Sequence, residues 1–365
     1  MDTPYRAPFA TSRRAVGMLL AAAMGTALTA WPARARQANQ PQLVEVTSAD
    51  RSWVQVVVSR SGRVFVNFSR WFGPLEMAVA EVMPDGSLKA YPDAAFNRAS
   101  GPAAERAVSV QSVALDPDGN SLWIVDTGNP QLSGAVPGGA KLVQVDLATD
   151  RIIRVLPLGG DVAPPGSYLA DIRIDSRRAQ AYLPDLALGA LAVVDLRTGR
   201  GRRVLEGHVS TQAEDLLLSF DGKPWLYPDG SRPRTAATSI ALSPDGSQLY
   251  FKPLVGRTLY QVPLAALDGS AGDAENAVKV AVVAHPTDAM ACGPDGALYL
   301  TAIDQMAITR WMPGDSAVRL IVQDRRLAWP VGLAFGPGGV AFTTVGRIHE
   351  GSAPSDRYRL YMFKP

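Results

Sequence analysis

One phrase returns along the chain: a short apolar run, a turn built on Pro, Asp and Gly, then a second run carrying an aromatic. It reads Val113-Ala114-Leu115-Asp116-Pro117-Asp118-Gly119 before Leu122-Trp123-Ile124, and Ile240-Ala241-Leu242-Ser243-Pro244-Asp245-Gly246 before Leu249-Tyr250-Phe251. A third copy is Ala289-Met290-Ala291-Cys292-Gly293-Pro294-Asp295-Gly296 before Leu298-Tyr299-Leu300. Looser copies run over 56–62 before Val64-Phe65-Val66 and over 333–338 before Val340-Ala341-Phe342, and a degenerate one over 172–177 before Ala181-Tyr182-Leu183. The turn positions lie 57, 58, 69, 50 and 42 residues apart, which suits four-stranded units with loops of varied length. Asp-Gly supplies positive φ at little steric cost, and Pro presets the turn entry. Apolar runs this short, bracketed by Gly and Pro and rich in β-branched and aromatic residues, favour strands over helices. A single small sheet cannot bury both of its faces, whereas sheets stacked around an axis can.

The expected fold class is therefore all-β, a six-bladed β-propeller. A two-sheet sandwich with chance turns is the alternative, but it gives no reason for the aromatic to recur at one offset. The last repeat leaves room for three strands. The segment Gln42-Leu43-Val44-Glu45-Val46 has no repeat of its own and is expected to join the last blade as its fourth strand, closing the ring and removing an open edge.

Residues 1–35 read as a cleaved export signal. Ser12-Arg13-Arg14 precedes a mildly apolar stretch over 15–30, and Ala33-Arg34-Ala35 offers a small-x-small cleavage site. The adjacent arginines are of the twin-arginine type, and a chance pair before an ordinary secretory signal is the alternative. The stretch is short and rich in Ala, Gly and Thr, so no stable membrane span is expected in the mature chain. Residues 36–41 form a linker and 42–365 the propeller. The expected location is outside the cytoplasm, periplasmic or secreted. Four of the 36 basic and one of the 34 acidic residues lie in 1–35, leaving 32 and 33 and a nearly neutral mature protein. That balance gives no case for nucleic-acid binding. Three His and one Cys leave little material for a zinc cage and none for an intramolecular disulfide. Nothing in the sequence sets the oligomeric state.

Aligning the repeats places Gln55, Ser112, Asp171, Ser239, Asp288 and Val331 just before the innermost-strand triplets, at one mouth of the central channel. The second strands end nearby at Phe68, Asp126, Asp185, Pro253, Ala302 and Thr344. Four carboxylates, Asp126, Asp171, Asp185 and Asp288, are thus expected to converge. Crowded carboxylates raise one another's pKa and suit a base, a cation or an amine. The structural alternative is that Asp at strand ends accepts hydrogen bonds from nearby backbone N–H groups. A small-molecule ligand would meet Asp126, Asp171, Asp185, Asp288, Ser112, Gln55 and Arg70. Were the protein an isomerase, Asp171 or Asp126 would move a proton and His208 would return it. His285 has a similar claim, and His349 a weaker one. A divalent cation such as Ca²⁺ held by Asp126, Asp171, Asp185 and Asp288 is the metal alternative, and no cofactor is certain. Loops over 129–140, 211–238 and 346–356 are expected to shape the mouth.

At Leu122-Trp123-Ile124-Val125-Asp126-Thr127-Gly128 the chain resembles the yellow/major royal jelly protein family, whose second blade carries a similar phrase. Further matching stretches are Arg63-Val64-Phe65-Val66-Asn67-Phe68-Ser69-Arg70-Trp71, Ala181-Tyr182-Leu183-Pro184-Asp185, Leu249-Tyr250-Phe251-Lys252-Pro253-Leu254 and Trp329-Pro330-Val331-Gly332-Leu333-Ala334-Phe335. The resemblance implies a secreted six-bladed propeller with a ligand channel. Family members include dopachrome-converting tautomerases, binders of biogenic amines, and nutritive or structural proteins. The wider neighbourhood includes gluconolactonase-like, SMP-30-type propellers, which are metal-dependent lactone hydrolases. Ala302 and Val331 depart from the pattern, because bacterial relatives often carry Asp at both. Three functions stay open: a small polar or aromatic-amine binder with tautomerase activity, a metal-dependent lactonase, and a non-catalytic interaction scaffold.

Overall fold

The computed structural model describes residues 40–227 and 229–365. The export signal at 1–35 and most of the linker at 36–41 lie outside the described residues. Six four-stranded antiparallel sheets, each running from the axis outward, form the propeller. The innermost strands are Trp53–Val58, Val110–Leu115, Arg173–Asp175, Ala237–Leu242, Met290–Cys292 and Pro330–Phe335. Each is followed by a tight turn and a second strand, such as Ser121–Asp126 after Val110–Leu115. The turn glycines Gly119 and Gly246 adopt φ of 72° and 69°, a region L side chains rarely enter.

The sixth blade is completed as expected. Val44–Ala49 pairs antiparallel with Tyr358–Phe363, placing Ala49 opposite Tyr358 and Val44 opposite Met362. The first and sixth blades are also stitched near the axis. Thr344 Oγ1 donates to the Val54 carbonyl over 2.6 Å, and the Leu333 N–H donates to Gln55 Oε1 over 3.1 Å. The repeated aromatics Trp123, Tyr182, Tyr250 and Tyr299 are nearly fully buried between blades. Among the described residues no helix is long and apolar enough to cross a membrane.

Pairing corrects the expected alignment in two repeats. Leu115 faces Leu122, and Leu242 faces Leu249. The matching pair in the fifth blade is Cys292 with Leu298, and in the sixth Phe335 with Ala341. Counting back, Asp288 and Val331 correspond to Gln111, one residue before the Ser112 level. The fifth and sixth turns are one residue shorter than those of the second and fourth, so aligning on the turn glycine slips the strand.

Candidate functional site in the central channel

The innermost strands lose regularity at one level of the channel. Pairing shifts register between Trp53 and Val56, Val110 and Ser112, Ala237 and Ser239, and Pro330 and Gly332. In the third and fifth blades the innermost strand is only three residues long, and Asp171 and Asp288 stand in the extended approach to it. Irregular pairing of this kind re-aims side chains and is frequent beside functional sites.

The four candidate carboxylates divide into two pairs. Asp126 is fully buried and accepts from the N–H groups of Val108, Ser109 and Gly128 at 2.7, 2.7 and 3.0 Å. Lys141 Nζ closes the set at 2.7 Å and also donates to the Ala103 and Gly139 carbonyls. Asp185 has the same place in the third blade. It accepts from the N–H groups of Tyr168, Ala187 and Leu188 and from Arg203 Nη1 at 2.9 Å. Other blades put uncharged oxygens to similar use. Asn67 Oδ1 accepts from the Gln55 N–H, and Thr301 Oγ1 from those of Asp288 and Ala289. Asp126 and Asp185 therefore tie the start of an innermost strand to the second strand, and the structure does not turn them toward a shared site with Asp171 and Asp288.

Asp171 and Asp288 behave differently. Asp171 Oδ1 takes three donors, Ser112 Oγ at 2.9 Å and the Ile172 N–H and Arg173 Nη1 at 2.8 Å each. Its Oδ2 is buried without a partner. Asp288 Oδ2 accepts from Trp329 Nε1 at 2.7 Å. Burial pushes the Asp288 carboxyl up to about 7, opposed by the Trp329 hydrogen bond and reinforced by the negative charge of Asp171. Ser239 Oγ, one blade on from Asp171 and level with Ser112, is likewise buried with no partner.

Arg173 links the two halves of this ring. Its Nη1 also donates to the Ile172 carbonyl at 2.7 Å, and its Nη2 to the Met290 carbonyl at 2.7 Å, reaching from the third blade to the fifth. The equivalent positions in four other blades hold Ala114, Ala241, Ala291 and Ala334. An Arg where the other repeats carry a small residue was a legible signal, and sequence reasoning missed it.

The mouth beyond Asp288 is covered. The segment 213–225 contains the short hairpin Ser219–Phe220 with Lys223–Pro224, which packs with Val54, Leu254, Ile303, Trp329 and Val331. Phe220 stacks on Trp329 at 5.0 Å and on His349 at 4.3 Å, while Trp225 meets Trp329 edge-on at 4.8 Å. Trp329 itself holds φ of 61°, a strained value for a bulky residue. It was not among the expected site residues. His349, the weakest of the three histidine candidates, has its basicity lowered by burial in this cluster.

The remaining candidates sit apart from the pair. Gln55 is buried, its Oε1 holding the Val56 and Leu333 N–H groups. His208 Nδ1 shares a 2.7 Å hydrogen bond with Ser210 Oγ, and His285 Nδ1 lies 3.2 Å from Asp304 Oδ1. Arg70 is half-buried, with a long 3.4 Å hydrogen bond to the Leu75 carbonyl. Burial and the neighbouring Arg106 lower its basicity. Beside it, Trp71 Nε1 donates to Tyr168 Oη at 2.7 Å, and Tyr168 in turn to Gln111 Oε1. Among the described residues no three His, Cys, Asp or Glu side chains are grouped to hold a metal ion. Calcium needs roughly six to eight oxygens. With Asp126 and Asp185 engaged by N–H groups and cations, the four carboxylates do not fit such a cage.

The profile of the major royal jelly protein family matches residues 108–335, from the second blade into the sixth. The chain belongs to this family. No curated protein matches it. Among solved structures, this royal jelly family member is similar to a gluconolactonase from Xanthomonas campestris, with a TM-score of 0.56 and 12% identity over 89% of both chains. A luciferin-regenerating enzyme aligns with a TM-score of 0.56 and 8% identity, over 89% of this chain and 95% of that one. Virginiamycin B lyase from Staphylococcus aureus gives 0.50 and 14%, over 89% and 99%. Identities this low carry the propeller fold and nothing about substrate.

Proposed function

We propose that this royal jelly family member binds a small protonated amine, aromatic in its body, between Asp171 and Asp288. The observation that carries the reading is the buried Asp171 Oδ2, which lacks a partner although Oδ1 takes three donors. A buried acceptor left unpaired is costly, and an ammonium N–H relieves it. Amine binding among other family members agrees with this chemistry. Export through residues 1–35 belongs to the same proposal, and N-terminal sequencing of the mature protein tests it.

An isomerase is the second reading. Burial raises the Asp288 carboxyl to about 7, where it can give and take a proton, and Asp171 beside it is ion-paired to Arg173. Asp171 would take a proton from one carbon of a bound tautomer, and Asp288 would return one elsewhere. Asp288 then fills the role expected of His208.

A cation placed beside Asp288 drives its proton off, so amine binding near pH 7 is coupled to proton release. Calorimetric titration with tyramine in buffers of different ionisation enthalpy measures that release. The expected result is binding with release of a fraction of a proton in the native protein, and loss of binding in Asp171→Asn. Binding that persists unchanged in Asp171→Asn would defeat the proposal.

A further inference from the structure

The channel has a second compartment, on the far side of Arg173 from the carboxylates. It is a cavity of about 250 Å³ formed by the later residues of the innermost strands, with walls that include Val58, Leu115, Leu242 and Phe335. The small side chains that face Arg173 in register, Ala114, Ala241, Ala291 and Ala334, leave this space open. It lies just under the roughly 300–1,000 Å³ of drug-sized pockets, so it suits a fragment-sized guest.

Its polar groups are hydrogen-bond donors. Arg173 uses Nη1 and one N–H of Nη2 within the protein, and its Nε–H and second Nη2–H have no partner among the described residues. Gln55 lines the same cavity with Oε1 occupied, which leaves its NH₂ for a guest. A donor-only end calls for an acceptor head, a carbonyl or a carboxylate. Charge decides between them. The single guanidinium is already compensated by Asp171 at 2.8 Å. An anion here would meet a cation that its own carboxylate partner has neutralised.

We infer that this compartment is a binding site for a neutral carbonyl compound, a ketone or ester with a compact apolar body. The carbonyl oxygen accepts from Arg173 and Gln55, and the body fills the aliphatic cup. This site is separate from the amine site and does not depend on it.

Cys292 makes the test simple. It is the chain's single cysteine, it is free, and it lines the cavity. Alkylation of Cys292 by iodoacetamide in the purified native protein, run at alkaline pH because burial raises the thiol to about 11, reports occupancy. Acetophenone is expected to slow alkylation at concentrations about tenfold below those needed with ethylbenzene, the worth of a hydrogen bond from a charged donor. Benzoate is expected to protect less than acetophenone. Ala241→Leu fills the cup and removes the protection. Equal protection by ethylbenzene, stronger protection by benzoate, or none by acetophenone overturns the proposal, and each of these is read on the unmutated protein.

Discussion

The Trp329 indole N–H points at Asp288 Oδ2 over 2.7 Å while the same ring stacks against Phe220. One side chain thus joins the carboxyl inside the channel to the hairpin that covers its mouth. Disturbing the cover is therefore expected to change the protonation of Asp288.

The pH dependence of stability follows from two groups with opposite shifts, the half-buried Asp288 and the buried Lys252. Asp288 is raised from 3.8 to about 7, so the folded state holds a proton that the unfolded chain has lost. Its contribution is complete below about pH 4 and fades as pH rises to 7. Lys252 is fully buried and, among the described residues, donates to the Pro253, Gly256 and His285 carbonyls. Burial lowers its pKa from 10.5 to about 7, so it penalises folding below 7 and the penalty lifts between 7 and 10.5. These two groups together give a stability minimum near neutral pH. Urea unfolding across pH 4–10 is expected to lose the acid limb in Asp288→Asn and the alkaline limb in Lys252→Met.

Trp329→Phe keeps a ring against Phe220 but removes the donor. Since that hydrogen bond favours the ionised carboxylate, the Asp288 midpoint is expected to move above 7. The acid limb of the unfolding profile should extend to higher pH by the same amount. An unmoved limb would show that the indole contributes little.

Asp126 and Asp171 should separate stability from binding. Asp126→Asn leaves Lys141 buried with no carboxylate, at a loss of roughly 3–5 kcal/mol. The protein that still folds should bind tyramine as before. Asp171→Asn should show the converse, with binding lost and a smaller change in unfolding free energy. Denaturant titrations paired with calorimetry read both.

Closure of the ring should be cooperative. Deleting residues 42–49 leaves Tyr358–Phe363 as an open edge and uncovers Tyr361 and Phe363, which pack near Leu43. The expected loss is about 3–5 kcal/mol, with a broadened calorimetric transition and a tendency to self-associate.

Removing the cover should act on rates. Phe220→Ala withdraws the ring stacked on Trp329 and His349, so tyramine is expected to enter and leave faster in stopped-flow fluorescence while its equilibrium affinity changes less.

The blade count, the strand order within a blade and the closing strand were legible in the sequence, because apolar runs, turn glycines and recurring aromatics act over a few residues and repeat. Asp171, Ser112 and Asp288 were legible as channel candidates for the same reason. What each carboxylate does was not. Asp126 and Asp185 meet N–H groups 17 and 18 residues back in the chain, and Asp171 meets Ser112 from the blade before it, 59 residues away. Whether such donors fill both oxygens or leave Oδ2 bare depends on a register that one residue of turn length can shift. Trp329, just before the sixth blade, meets the hairpin around Phe220, which lies between the third and fourth blades, only across the assembled ring. Local pattern determined the parts, and the long-range packing of the closed ring decided which polar groups were left unsatisfied.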